Sequence, residues 1–253
     1  MEWRFLFEYG VSEKSDLLMS KDITPWSVEE FIRRLHKVGE VAYHDKHPFH
    51  MLMNDGKLDS KQLQGWVANR FYYQTCIPIK DAAILSNCPE REVRRVWIKR
   101  IIDHDGASGD EGGIKKWLRL GEALGLTSEE MLQFSHLLPG VRFAMDAYVT
   151  FARNKPWIEA VASSLTELFA PSLMEKRILS FEMHYTWVDK EGLGYFRDRS
   201  SQARIDSNFA LRLVTEWCRT LEQQKQAVDA LKFKCDLLWA MLDAIYLEYC
   251  VRK

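Results

Sequence analysis

The sequence predicts an all-α fold, a compact helical bundle. Three observations carry that expectation. Apolar residues recur at spacings of three and four over most of the chain. No stretch alternates apolar and polar residues as a half-buried strand does. The 13 glycines and 7 prolines fall mostly where helices begin or end. Residues 1–24 show little periodicity and read as a variable leader closed by Pro25, and residues 25–253 as a single helical domain with no linker. Ser27 with Glu30 three residues on is a capping-box pattern, after which Phe31, Leu35 and Val38 recur at helical spacing. A second helix covers 60–86 and should bend near Pro78, where an N–H is missing and the ring crowds the preceding turn. Pro89 opens a third helix running to His104. The run DHDGASGDEGG then makes a glycine-rich turn, and 114–125 returns to helical spacing. Thr127 and Ser128 before Glu129 and Glu130 mark another helix start. Helices over 140–154 and 157–180 follow, then a Trp/Tyr-rich corner at 184–196, and two long helices over 191–221 and 224–249.

Composition narrows the function classes. At 47% hydrophobic and 28% charged residues the balance is that of a globular chain. A net charge of −1 argues against a nucleic-acid partner, since phosphate neutralisation leaves a basic excess. The apolar run in MEWRFLFEYGVSEKSD is too short and too acidic for a signal peptide, and no stretch approaches the ~20 apolar residues of a membrane span. The five cysteines form no CxxC pair and are odd in number, which suggests neither a zinc ribbon nor a disulfide framework. A cytoplasmic protein without membrane or nucleic-acid partners is expected.

The informative feature is polar residues on faces that should point inward. Arg70, Tyr73 and Gln74 share one helix face, with Lys80 seven residues after Tyr73; Arg100 and His104 are i, i+4. Thr166, Glu167, Met174 and Arg177 line up over three turns of the 157–180 helix. Tyr195 and Arg199 are i, i+4, as are Lys234 and Leu238 in the apolar segment LKFKCDLLWAMLDAIYLEY. Any one pair alone is most simply a solvated stripe or local ion pair. Lys234 and Arg70 resist that reading, because burial of an unpaired charge is costly. Convergence of these groups would make a basic cavity suited to a carboxylate-rich ligand. The cluster His44, His47, His50 invites a metal, with Glu167 or Asp105 as a carboxylate ligand, but Pro48 interrupts its regularity, and hydrogen-bonding histidines at helix ends are the simpler reading. HDGASGDEGG lacks the Lys-Ser/Thr of a P-loop, and no nucleophile elbow is present.

The runs YHDKHPFH, QGWVANRFYYQTCIPIKDAAI, RIIDHDG, LPGVRFAMDAY, SSLTELFAP, YFRDR and FKCDLLWAMLDA, in this order over residues 27–249, resemble the pyrroloquinoline quinone synthase family. The resemblance implies a heme-oxygenase-like helical fold and a homodimer. It implies the last step of cofactor biosynthesis: ring closure and multi-electron oxidation of a small polycarboxylate precursor to pyrroloquinoline quinone (PQQ). Dioxygen is the co-substrate and hydrogen peroxide is released, with no metal and no organic cofactor. It carries the family's pocket onto His44, Arg70, Tyr73, Gln74, Lys80, Arg100, His104, Tyr148, Thr166, Glu167, Arg177, Tyr195, Arg199, Lys234 and Leu238. His104 is then the general base or acid, and Tyr195 and Arg199 stabilise reduced oxygen beside the reacting carbon. The rest hold substrate, with Lys80, Arg100, Arg177, Arg199, Lys234 and Arg70 facing its carboxylates and quinone oxygens. Met174 departs from the pattern, since the family has a histidine there; a thioether neither donates a proton nor holds a charge. Three alternatives stay open. They are a metal-dependent oxidase with His44, His47, His104 and Glu167 as ligands, a non-catalytic quinone carrier, and a thiamine-salvage hydrolase with a cysteine nucleophile.

Overall fold

A computed structural model describes residues 24–252, and of the 1–24 leader only Thr24 lies within it. Among the described residues there are helices and no strand, only one isolated bridge between Ala107 and Asp110. Helix α1 (Val28–Ala42) starts where expected, with the Ser27 hydroxyl accepting the Glu30 N–H at 3.2 Å. Helix α2 (Pro48–Asn54) follows a short 3-10 turn at His44–Lys46. Helix α3 (Ser60–Asn87) is the central strut. Asp59 and Gln62 close a reciprocal capping box at its start, and it runs as one helix through Pro78. It buries side chains around most of its circumference, including Arg70, Gln74, Lys80 and Asp81.

The expected helix to His104 is two: α4 (Arg91–Trp97) and α5 (Lys99–Asp105), meeting at Ile98. Gly106 ends α5 at φ +89°, where a Cβ would meet the Asp110 carbonyl at 2.7 Å, so the turn after His104 requires glycine. Helices α6 (Gly112–Ala123), α7 (Ser128–Leu132) and α8 (Pro139–Asn154) follow, and α7 opens on a Thr127–Glu130 capping box.

The single helix expected over 157–180 is broken into α9 (Trp157–Ser163), a 3-10 segment at Ser164–Leu168, and α10 (Ala170–His184). Pro171 supplies the reason. It lacks an N–H and its ring would clash with the carbonyl four residues back, so the helix restarts at it. Thr166 and Glu167 therefore leave the face that Met174 and Arg177 share. Helix α11 (Gly194–Trp217) stops four residues earlier than periodicity suggested, because Thr220 and Gln223 form a capping box that starts α12 (Leu221–Tyr246). Helix α3 packs on α5, α6 and α8, α12 on α1, α8 and α9, and α10 on α11. The wholly buried Trp66 and Trp117 form one side of the core, edge to face at 5.5 Å, and Trp117 meets Tyr195 at 4.9 Å. No helix among the described residues is long and apolar enough to cross a membrane.

Candidate active site

Between α3, α5, α11, α12 and the 3-10 segment lies a buried array of charges. Glu167 accepts two hydrogen bonds from the Arg100 guanidinium, at 2.7 and 2.8 Å, and one from Arg199 at 2.6 Å. Asp206 bonds Arg199 at 3.0 Å and lies 3.3 Å from Arg100. Asp81, wholly buried, accepts from Lys80 at 2.6 Å and from the Trp97 indole at 2.9 Å. Burial works to raise the Glu167 carboxyl, yet Arg100 and Arg199 outweigh it and hold it far below the usual carboxylate range. Asp206 moves the other way, pushed up by burial and by the Glu167 charge; Glu167 takes the larger share of the two guanidiniums.

Among the described residues, three other buried cations have no carboxylate partner. The Arg70 and Arg177 guanidiniums each leave Nε and Nη1 without a partner, and the Lys234 ammonium has none at all. Lys234 sits over the ring of Tyr148, 3.4 Å from its centroid, and 4.1 Å from that of Tyr73. Arg70 lies over Tyr73 and Arg177 over Trp66, each 4.9 Å from the ring centroid. Burial, then repulsion by Arg70, pulls Arg177 down to about 9; burial, then Lys80 and Arg70, pulls Lys234 well below its ordinary value. Buried charges are ordinarily paired, so this arrangement is incomplete without an anion.

Of the three, Arg70 lines a small inner cavity walled by Tyr43, His44, Arg70, Tyr73, Ile77, Thr166, Glu167, Ala170, Met174, Tyr195, Arg199 and Leu238, and Arg177 and Lys234 lie behind that wall. The cavity offers only about 40 Å³, room for a few water molecules. Tyr195 and Arg199 also line a larger outer cleft of about 290 Å³, shared with His104, Asp103 and Lys116. Tyr195 and Arg199, which line both, stand as a partition between the spaces, and Tyr195 donates to the Gln74 amide oxygen at 3.0 Å.

The structure thus divides the fifteen residues that sequence brought forward. Eight line the inner cavity: His44, Arg70, Tyr73, Thr166, Glu167, Tyr195, Arg199 and Leu238. Gln74 stands behind Tyr195, Lys234 and Tyr148 behind Tyr73, and Arg177 behind His44 by way of His50. Lys80 and Arg100 are not among the residues that wall the cavity; Asp81, Ser164, Glu167 and Asp206 occupy their donors. His104 opens on the outer cleft. Its Nδ1 is 2.9 Å from the Arg100 carbonyl, which can only accept, so the proton sits there and Nε2 keeps its lone pair. Burial, then the Arg199 charge, lowers His104 to about 4, which suits a base at neutral pH and not an acid.

Sequence reasoning passed over Asp81, Asp206 and Tyr43, and weighed His50 only as part of a metal-binding cluster. For Asp81 and Asp206 the signal lies in partners on other helices, Trp97 and Arg100 for the first and Arg100 for the second. The ligand set of the metal alternative is dispersed. His47 caps α2 by accepting the Phe49 N–H at 3.1 Å and turns Nε2 to Asp243, His44 pairs with His50, and Glu167 is taken by two arginines. Among the described residues no three His, Cys, Asp or Glu side chains are grouped to hold a metal ion. The thiols fare no better as nucleophiles, since burial pushes Cys76 up to about 11 and Cys235 up to about 12.

The all-helical bundle has the heme oxygenase-like fold, as solved structures bear out. A domain of unknown function with a heme oxygenase-like fold from Shewanella denitrificans superposes with a TM-score of 0.71 over 89% of this chain and 94% of that one. A TenA homologue from Pseudomonas syringae pv. tomato gives 0.69 over 89% and 98%. Both share only 12% identity, which speaks for the fold alone. The chain belongs to the TENA/THI-4/PQQC family, whose profile matches residues 32–244. Within it, the chain is 55% identical over 221 residues to the pyrroloquinoline-quinone synthase of Cronobacter sakazakii, covering 87% of this chain and 88% of that protein. It is 56% identical over 220 residues to that of Pseudomonas aeruginosa, with the same coverage, and 48% identical over 237 residues to that of Klebsiella pneumoniae, with 94% and 93% covered.

Proposed function

We propose that this protein is an enzyme of PQQ biosynthesis that completes the quinone by ring closure and oxidation, using dioxygen and no metal or organic cofactor, and that it works as a homodimer. One observation carries the reading. Arg70 in the wall of one cavity, and Arg177 and Lys234 behind that wall, are buried with donors unfilled, a site that asks for several carboxylates or quinone oxygens on one small molecule. The names of the relatives say which molecule to try.

The chemistry follows from the substrate's own electrons. Triplet dioxygen cannot accept an electron pair from a singlet molecule in one step, but an electron-rich enolate or quinol can pass single electrons to it. Each dioxygen that takes two electrons and two protons leaves as hydrogen peroxide. The protein then has to bind the polyanion, take protons from carbon and exclude bulk water. His104, neutral with a free Nε2, is the base. Tyr195 and Arg199, on the partition, stabilise reduced oxygen, while Glu167 and Asp206 fix the guanidinium in place. Because the inner cavity holds only a few waters, the polycarboxylate enters as the partition opens toward the outer cleft.

The test is anaerobic mixing of metal-free protein with the polycarboxylated precursor, followed by a pulse of dioxygen while the quinone spectrum is recorded. Growth of the quinone chromophore with peroxide release, unaffected by chelators, is expected. Binding without any oxygen-dependent change would make the protein a carrier. Activity that vanishes with chelator and returns with iron or manganese would make it a metal oxidase.

A further inference from the structure

The geometry points to His50 as a positioning residue. It holds the cavity-lining His44 in the one tautomer that can donate a hydrogen bond to a ligand, and at the same time it anchors Arg177.

His50 is wholly buried in α2 and does not line the cavity, yet both its ring nitrogens are engaged. Its Nε2 lies 3.0 Å from Nη2 of Arg177. A guanidinium only donates, so this nitrogen must present a lone pair. The proton of the neutral ring is therefore on Nδ1, which is 2.9 Å from the His44 carbonyl and 3.2 Å from His44 Nδ1. Two protonated Nδ1 atoms cannot face each other at that distance. The Nδ1 of His44 is consequently bare, and its proton is on Nε2, which has no hydrogen-bond partner among the described residues.

Both rings are neutral. Burial, then the Arg70 and Arg177 charges, lowers His44 well below the usual imidazole range; burial, then Arg177 and His44, does the same for His50. His44 thus offers the cavity an N–H and no lone pair. It can hold a carboxylate or quinone oxygen and cannot abstract a proton, which leaves the base role to His104. The same bond fixes Arg177 by one nitrogen and leaves its Nε and Nη1 unfilled. The ligand class rests on the proposed function, while the tautomers do not.

The experiment separates the two. Protein labelled with ¹⁵N-histidine is studied without ligand by long-range proton–nitrogen correlation, with peaks assigned by single-histidine replacement. The expected wild-type pattern is Nδ1–H on His50 and Nε2–H on His44. His50→Leu should release His44, so that its Nδ1–H form appears. His50→Gln should restore the Nε2–H form, because an amide presents an acceptor and a donor about as far apart as the two ring nitrogens. Nδ1–H on His44 of the wild type, or a His44 tautomer indifferent to His50→Leu, overturns the assignment; if His50→Leu does not fold, the wild-type and His50→Gln spectra decide it. Titration with PQQ then reads the consequence, roughly tenfold to a hundredfold weaker binding in His50→Leu and near wild-type binding in His50→Gln. Equal affinity across all three proteins would refute the positioning role. No binding even to wild type would refute the proposed function and leave the tautomers standing.

Discussion

Lys234→Met should make the ligand-free protein more stable and its ligand binding worse. Lys234 is wholly buried and its ammonium has no hydrogen-bond acceptor, only the faces of Tyr148 and Tyr73 at 3.4 and 4.1 Å. An unpaired buried ammonium costs several kcal/mol even after relaxation, and desolvated ring faces return about 2 kcal/mol. Methionine follows the same unbranched path one atom short and removes the charge, so the gain should be about 1–3 kcal/mol. In a chain of this size each kcal/mol is worth about 2–4 °C in Tm, so a gain of about 2 kcal/mol is roughly 4–8 °C by calorimetry. The pH dependence identifies the cause. The folded-state pKa of Lys234 is depressed below the ordinary lysine value of 10.5 by burial and by Lys80 and Arg70. Between that depressed value and 10.5 the unfolded chain holds a proton that the folded protein does not, so wild-type stability falls as pH falls through the window. The advantage of the variant should widen toward neutral pH and shrink as pH approaches 10.5. Affinity for PQQ should fall by roughly tenfold to a hundredfold, the worth of a hydrogen bond to a charged group. A lower Tm for the variant without ligand would refute the reasoning, since Lys234 would then be a net stabilising partner of the two tyrosines.

Glu167→Gln should destabilise the protein by about 3–5 kcal/mol in urea denaturation, because it uncovers the buried Arg100 and the Arg199 beside it; a loss below about 1 kcal/mol would mean that Asp81 and Asp206 suffice. With His104 lowered to about 4 in the free protein, kcat/KM should stay level from neutral pH and fall only as His104 protonates near pH 4. An acid limb at pH 6–7 would remove His104 as the base. Asn69→Ala should cost about 1–3 kcal/mol in thermal melts, since its amide donates to the Gly65 and His136 carbonyls and accepts the Leu138 N–H, all within 3.0 Å. An unchanged Tm would show that water replaces all three.

Helices and their starts were written locally. Ser27, Thr127 and the spacing of Phe31 and Leu35 announce elements that the structure forms where expected, because capping and amphipathicity act over three or four residues. The misreadings were local too. Pro171 and Thr220 carried the signals to break 157–180 and to end α11, and apolar periodicity alone overrode them. The site was legible as a suspicion: charged residues embedded in apolar runs, and long motifs resembling one family. That suspicion brought forward the eight predicted residues that line the cavity.

Local sequence could not sort those charges into kinds. Lys80 and Arg100 look no different in sequence from Arg70 and Lys234. The first two meet carboxylates delivered by Asp81 of α3, Glu167 of the 3-10 segment and Asp206 of α11, while the second two meet only aromatic faces. Likewise, nothing around Pro48 indicates that His50 reaches Arg177, 127 residues away. By itself the sequence determined the helices, most of their ends, and the family. Tertiary structure alone decided which cations meet carboxylates and which meet only aromatic faces, and which partners the ring nitrogens of His44, His50 and His104 find. Propensity and capping act along the chain, whereas the Coulomb and hydrogen-bond partners that set charge and proton position come from segments folding brings within about 3 Å.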